Sequence, residues 1–139
     1  MQIEVDQSGK IEDSGDTVIA FSNKEQFTVM IPHNLKVTLL KKMGKRQARY
    51  KILARGIYHC IKDYLDKDKQ IIIDEEYRKH GRDIKNYLLN ELRKDKPFFD
   101  KKLIISKQIG KKSRAHKLAY QTFCGKLKPN KILTEKEFE

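Results

Sequence analysis

Residues 70–75 read QIIIDE, and this stretch decides the fold class. Its three consecutive isoleucines leave no polar face, so they predict a strand that is covered on both sides. Such strands are typical of parallel sheets with helices packed against both faces. The strand ends on a carboxylate, Asp74, so the neighbouring elements of the chain decide what surrounds that acid.

Three shorter strand patterns precede this stretch. Residues 2–6 alternate apolar and polar side chains, whereas residues 17–21 (TVIAF) and 27–31 (FTVMI) are β-branched and apolar. Turn-rich segments separate the three patterns, and Pro32 ends the third. The amino-terminal part therefore predicts an antiparallel meander of three strands.

Helical spacing of apolar residues follows the meander and surrounds the later strands. The first helical stretch is predicted to start at an Asn34 N-cap and to break at Gly44. A helix near residues 83–93, a strand at residues 103–106 and a last helix capped by Ser113 complete the chain.

The predicted order of elements is β-β-β-α-β-α-β-α over a single domain of residues 1–139. Right-handed crossovers then give an α/β fold with a five-stranded mixed sheet, built from the antiparallel meander and two parallel strands. The first strand is expected at the centre, beside residues 70–75, with helices on both faces of the sheet.

The charge of the chain predicts a polyanionic partner. The net charge is +12, and two stretches, residues 36–55 and 101–131, contain no acid at all. Nucleic acid is the first candidate and an anionic membrane surface the second, while a solvated surface is the simplest alternative. Lys41, Lys45 and Arg49 recur at four-residue steps and are predicted to share one helix face. The other candidate nucleic-acid contacts are Lys107, Lys111, Lys112, Arg114 and Lys117.

The remaining composition favours a reduced cytoplasmic protein. No apolar run approaches the roughly 20 residues that span a bilayer, so no membrane segment is expected. The amino-terminal sequence has no secretory pattern, and Cys60 and Cys124 lack a CxxC spacing. The sequence does not fix the oligomeric state, and a homodimer is compatible with it.

Two acids are predicted to meet at one edge of the sheet. Asp6 ends the first strand and Asp74 the fourth, and neighbouring parallel strands lie about 4.8 Å apart. Open α/β sheets bind their ligands at this carboxyl edge. Two carboxylates repel each other there unless one is protonated or a divalent metal is bound. The alternative for Asp6 is an ordinary turn residue.

Two further side chains are candidate metal ligands. His116 lies in the first turn of the last helix, at the edge of its apolar stripe, and could reach the two acids. Its alternative is a surface or capping histidine. Glu76 points to the same side of its strand as Asp74 and is a reserve ligand.

At this point the chain resembles the ribonuclease H-like superfamily of nucleases, over most of its length. The stretch IEVDQSG (residues 3–9) is similar to that superfamily's first-strand aspartate and glycine turn, as in RuvC-type resolvases and type 2 ribonucleases H. IIIDEEY (residues 71–77) is similar to the resolvase pattern of apolar strand, acid and aromatic residue. SRAHKLAYQTF (residues 113–123) looks like the superfamily's last helix, which supplies a further ligand.

The resemblance implies a nuclease that uses two divalent ions, Mg²⁺ or Mn²⁺, to hydrolyse phosphodiesters. Asp6 would bridge the ions, while Asp74 and His116 would each complete one, and an imidazole ligand favours Mn²⁺. The last helix offers no acid and residues 36–55 offer none, which favours a resolvase-like nuclease or a nuclease of another kind over ribonuclease H activity on hybrids. DNA and RNA substrates, linear or branched, remain open. The alternatives are a non-catalytic nucleic-acid-binding protein of this fold and a basic protein-interaction or membrane-surface module.

Overall fold

The computed structural model describes residues 2–44, 47–65, 69–75, 77 and 79–139. Its strands are β1 (Gln2–Ser8), β2 (Thr17–Ser22), β3 (Gln26–Ile31), β4 (Gln70–Asp74), β5 (Ile104–Lys107) and β6 (Lys131–Ile132). Its α-helices are α1 (His33–Met43), α2 (Ala48–Ile61), α3 (Gly81–Asp95) and α4 (Arg114–Phe123). None of these helices is long and apolar enough to cross a membrane.

The strands form one mixed sheet in the order β5-β4-β1-β2-β3-β6. β1, β2 and β3 pair antiparallel as a meander, and β4 runs parallel to both β1 and β5. The α/β class and the mixed sheet are therefore confirmed. β1 lies inside the sheet between β2 and β4, as predicted.

The prediction of five strands is wrong, because the described sheet has six. β6 pairs parallel with β3 and contains only two residues, too few to show a strand periodicity. Contacts distant in sequence hold it there. The Thr28 amide donates to Asn130 Oδ1 at 2.9 Å, and the Leu133 amide donates to the carbonyl of Met30 at 2.9 Å.

Helices cover both faces of the sheet. α2 and α3 pack on one face in a large core that includes Ile71 and Ile73. α4 packs on the other face, where Leu118 and Ala119 contact Val18 and Ala20. All three isoleucines of β4 are at most 5% exposed, so this strand is covered on both sides as its sequence predicts.

The start of α1 differs from the prediction of an Asn34 cap. The helix begins at His33, and the His33 amide donates to Asp16 Oδ1 at 2.8 Å. The carboxylate that satisfies this helix end thus comes from the loop between β1 and β2, which local sequence rules do not detect. The predicted break at Gly44 is confirmed, because Gly44 takes a left-handed conformation with φ 54° and ends α1.

Candidate functional site

The sheet brings Asp6 and Asp74 to one edge. Val5 and Ile73 are register partners in the parallel β1–β4 pair, so Asp6 and Asp74 follow them side by side. Both acids line an open cavity of about 230 Å³, and His116 lines it too. The three residues expected to form the site are therefore gathered in one place.

Asp6 is a buried carboxylate, only 5% exposed. Its Oδ1 accepts a hydrogen bond from the Gln7 amide at 2.7 Å, and its Oδ2 lies 2.9 Å from His116 Nδ1. Burial and the negative charge of Asp74 together raise the pKa of Asp6 to about 6, although both hydrogen bonds oppose that shift. Positive charge on His116 also opposes the rise in the pKa of Asp6, but burial and Asp74 outweigh it.

Asp74 is half-buried at the end of β4. Its Oδ1 accepts a hydrogen bond from the Ile109 amide at 2.9 Å. This bond ties the loop that follows β5 to the end of β4. The same loop contributes Gln108, Gly110 and Lys111 to the cavity, so Asp74 helps to shape its wall.

The position of His116 follows from the way α4 begins. Ser113 Oγ accepts a hydrogen bond from the Ala115 amide at 3.2 Å and donates to Glu4 Oε1 at 3.1 Å. The predicted Ser113 cap is thus confirmed, and it also fixes α4 over β1. The sequence analysis missed the role of Glu4. Its spacing of two residues from Asp6 could have revealed it, because alternate strand residues share a face.

The donor set fits a divalent cation bound by two carboxylates rather than by three side chains. Within the part of the chain that the structure describes, no group of three or more His, Cys, Asp or Glu side chains is arranged to hold a metal ion. The reserve ligand Glu76 lies outside the described residues. His116 uses Nδ1 to contact Asp6, so this nitrogen positions the carboxylate. Mg²⁺ is commonly held by one or two carboxylates together with waters and substrate phosphates. Asp6 and Asp74 can supply the two carboxylates.

Neither a protein-family model, nor a curated protein, nor a solved structure matches this chain. The ribonuclease H-like assignment therefore stays a prediction based on element order and on the placement of the acids.

Several of the predicted basic residues lie around the cavity. Lys107, at the end of β5, is the register partner of Asp74, and Lys111 lines the cavity itself. The others are exposed on the loop after β5 and on the first turn of α4: Lys112, Arg114 and Lys117. These five residues lie at the end of β5, on the loop that follows it and at the start of α4, and we call them the loop-α4 border.

The other predicted group does not form one helix face. α1 ends at Met43 and α2 begins at Ala48, so Lys41 and Arg49 belong to different helices. Lys45 lies outside the described residues. Arg49 is 3.6 Å from Glu12, and its guanidinium lies 5.1 Å from the ring centre of Tyr50. The prediction of one shared helix face from the four-residue spacing is wrong, because Gly44 ends α1.

One lysine of the acid-free stretch is part of the interior. Lys36 is 1% exposed, and burial lowers its pKa. Its Nζ donates to the carbonyls of Lys10 and Asp13 at 3.0 and 2.8 Å and to Thr17 Oγ1 at 3.1 Å. Lys36 therefore holds the loop that follows β1 and does not add to the basic surface.

Proposed function

We propose that this protein is a metal-dependent nuclease that hydrolyses phosphodiester bonds of nucleic acid. The observation that carries the proposal is that Asp6 and Asp74 lie side by side where the parallel pairing of β1 with β4 ends. Asp6 does not end β1 as predicted, because this strand continues to Ser8 in its pairing with β2. Burial and the neighbouring negative charge raise the pKa of Asp6 to about 6, so the pair is unfavourable without a cation. A divalent ion between the carboxylates removes that cost.

The residues that line the cavity would have different roles in such a reaction. Bound Mg²⁺ or Mn²⁺ supplies Lewis-acid stabilisation of the phosphate and lowers the pKa of a bound water. Asp6 and Asp74 would hold the ions, and His116 contacts Asp6 through Nδ1 and so fixes its rotamer. The loop-α4 border supplies positive charge for phosphate groups, with Lys111 in the cavity itself. The order of elements and the acid-free last helix favour a resolvase-like nuclease within the ribonuclease H-like superfamily.

A second candidate is a nucleic-acid-binding protein without catalysis. The described residues contain no three-ligand group, and the hydrogen bond between His116 and Asp6 satisfies one oxygen of this acid without a metal. The net charge of +12 supports nucleic-acid binding under either candidate.

Metal binding and cleavage separate the two candidates. Mn²⁺ is titrated into the protein by calorimetry, and single-stranded, duplex, hybrid and four-way-junction substrates are incubated with Mg²⁺ or Mn²⁺. The nuclease binds Mn²⁺ and cuts at least one substrate, and Asp6→Asn loses both properties. Asp63→Asn is the matched control, because Asp63 is an exposed acid distant in sequence from either strand end. Absence of Mn²⁺ binding and of cleavage in the wild type favours the non-catalytic candidate.

A further inference from the structure

A second and larger groove is lined by residues of β5, the strand at one edge of the described sheet. Its volume is about 1170 Å³. The start of α3 forms one wall, residues 104–106 form the floor, and Lys101 and Lys102 lie at one end. This groove is distinct from the cavity that holds Asp6.

The groove exists because α3 starts directly against β5. A Cβ atom added to Gly81 would lie 2.8 Å from Ser106 Oγ and 3.2 Å from Ser106 Cβ. A side chain at this position would require Ser106 to shift, so glycine favours this close approach. The wall and the floor of the groove are therefore in fixed relation to each other.

The lining of the groove is positively charged. Its described basic residues are Lys79, Arg82, Lys85, Lys101 and Lys102, and its described acids are Glu75 and Asp83. Asp83 already contacts a neighbouring side chain, because its Oδ2 lies 3.1 Å from His80 Nδ1. Five cations against two acids in a groove attract a polyanion rather than a neutral ligand.

The groove leads to the candidate metal site. Glu75, which directly follows β4, lines both the groove and the cavity of Asp6 and Asp74. A chain-like ligand in the groove could therefore continue into the cavity. A phosphodiester backbone has the required length and charge.

An aromatic side chain projects from the loop that precedes the groove's lysines. Phe98 is 98% exposed, whereas its neighbour Phe99 packs against the core. Arg93 Nε and Nη2 donate to the carbonyl of Phe99 at 3.1 and 3.0 Å, so the turn is held in place. Asp100 caps the short helix of Lys101–Leu103 that follows.

Proteins that bind single-stranded nucleic acid combine a positively charged groove with exposed aromatic rings, and Phe98 precedes Lys101 of this groove by three residues. The cations follow the phosphates, and the ring stacks on a base whatever its sequence. A rigid duplex cannot easily present both an unpaired base face and its backbone to one such groove.

We propose that the β5 groove binds one unpaired strand of a nucleic acid, with phosphates on Arg82, Lys101 and Lys102 and a base stacked on Phe98. The strand continues past Glu75 to the Asp6 and Asp74 site. The inference rests on the proposed function for the identity of the ligand, but binding can be measured without cleavage.

The test is fluorescence anisotropy of labelled single-stranded and duplex oligonucleotides with the full chain, in a metal chelator. The paired substitution Lys101→Glu with Lys102→Glu is compared with Lys126→Glu with Lys128→Glu, which makes the same charge change on an exposed segment after α4. We expect the groove variant to lose single-strand affinity and the control to retain most of it. Two lost phosphate contacts should reduce the slope of log affinity against log salt by about 1.4.

Phe98 gives an independent second arm. Phe98→Ala should weaken single-strand binding at least about fivefold and duplex binding much less, while Phe98→Trp should retain affinity. Because Phe98 and both groove lysines are exposed, thermal melting should show that all variants remain folded.

Other results overturn the proposal. Equal losses in the groove and control variants would mean that only the general field of the protein attracts the strand. The proposal would be contradicted if Phe98→Ala bound single strands as tightly as the wild type does, or if the groove variant lost affinity equally for single strands and for duplexes. It would also be contradicted if the wild type bound an acidic polypeptide but no oligonucleotide. If single strands bind in the groove but the wild type cuts no substrate, the proposed nuclease activity is contradicted and the groove proposal is not.

Discussion

Replacement of Asp6 by Asn is expected to stabilise the metal-free protein at neutral and higher pH. The pKa of Asp6 is raised from 3.8 to about 6, so the folded state binds this proton more tightly than the unfolded state does. Ionised Asp6 therefore destabilises the fold above pH 6, and this cost disappears as the pH falls through 3.8. A shift of two pH units corresponds to about 3 kcal/mol.

Urea unfolding at pH 4 and pH 8 in a chelator measures this effect. The stability of Asp6→Asn relative to the wild type should rise by about 2.4 kcal/mol between pH 4 and pH 8, because Asp6 of the unfolded wild type is already partly ionised at pH 4. Asp63→Asn, at an exposed acid, should show no comparable pH dependence. If the difference between Asp6→Asn and the wild type is the same at both pH values, Asp6 is not an unfavourable buried charge and the reasoning fails.

Mn²⁺ should reverse the order of the two proteins. A ligand that binds only the folded state at 1,000 times its Kd stabilises it by about 4.1 kcal/mol, which exceeds the advantage of about 3 kcal/mol that Asp6→Asn has at pH 8. The wild type should gain this stability at pH 8, whereas Asp6→Asn should gain little because one of the two carboxylates is gone. The variant should also lose metal-dependent cleavage and retain its affinity for nucleic acid, since the loop-α4 border is untouched.

Three shorter predictions concern the fold and the histidine. Lys36→Met should lower the free energy of unfolding by about 2–3 kcal/mol in urea denaturation, because three acceptors lose the charged donor of a buried side chain. Gly56→Ala should cost about 1–3 kcal/mol in the same assay, since its Cβ would lie 2.5 Å from Ile19 Cδ1. His116→Asn should keep most of the Mn²⁺ affinity in calorimetry, whereas His116→Gln should lower it about 10–100-fold. Unchanged stability in Lys36→Met or Gly56→Ala, or unchanged Mn²⁺ affinity in His116→Gln, would contradict the corresponding contact.

The placement of β1 beside β4 could be predicted because each strand carries its own signal. Ile71 to Ile73 require cover on both faces, and the alternation of Ile3 and Val5 fits a strand with differing faces. Once these strands are parallel neighbours, the positions of Asp6 and Asp74 follow from the strand geometry alone. The proximity of the two acids could therefore be predicted from the sequence.

The features that the sequence did not predict depend on contacts between distant residues. β6 is held by Asn130 against Thr28, and the start of α1 is satisfied by Asp16. From the sequence, Lys36 is indistinguishable from a surface lysine. Its burial depends on the loop that contains Lys10 and Asp13, whose carbonyls accept hydrogen bonds from its Nζ. Periodicity describes an element by itself, so it cannot reveal partners that the tertiary fold supplies.

The role of His116 shows the same limit at the level of single atoms. Helical spacing and the Ser113 cap predict that this residue reaches the sheet edge, but not which ring nitrogen faces Asp6. The structure places Nδ1 there, at 2.9 Å from Oδ2. The amide nitrogen of Asn lies near the position of Nδ1, and that of Gln lies near Nε2. If His116 acts by positioning Asp6, Asn preserves the contact and Gln removes it. If His116 instead binds the metal through Nε2, the order of the two variants is inverted, because only Gln then places a polar atom at the ligating position.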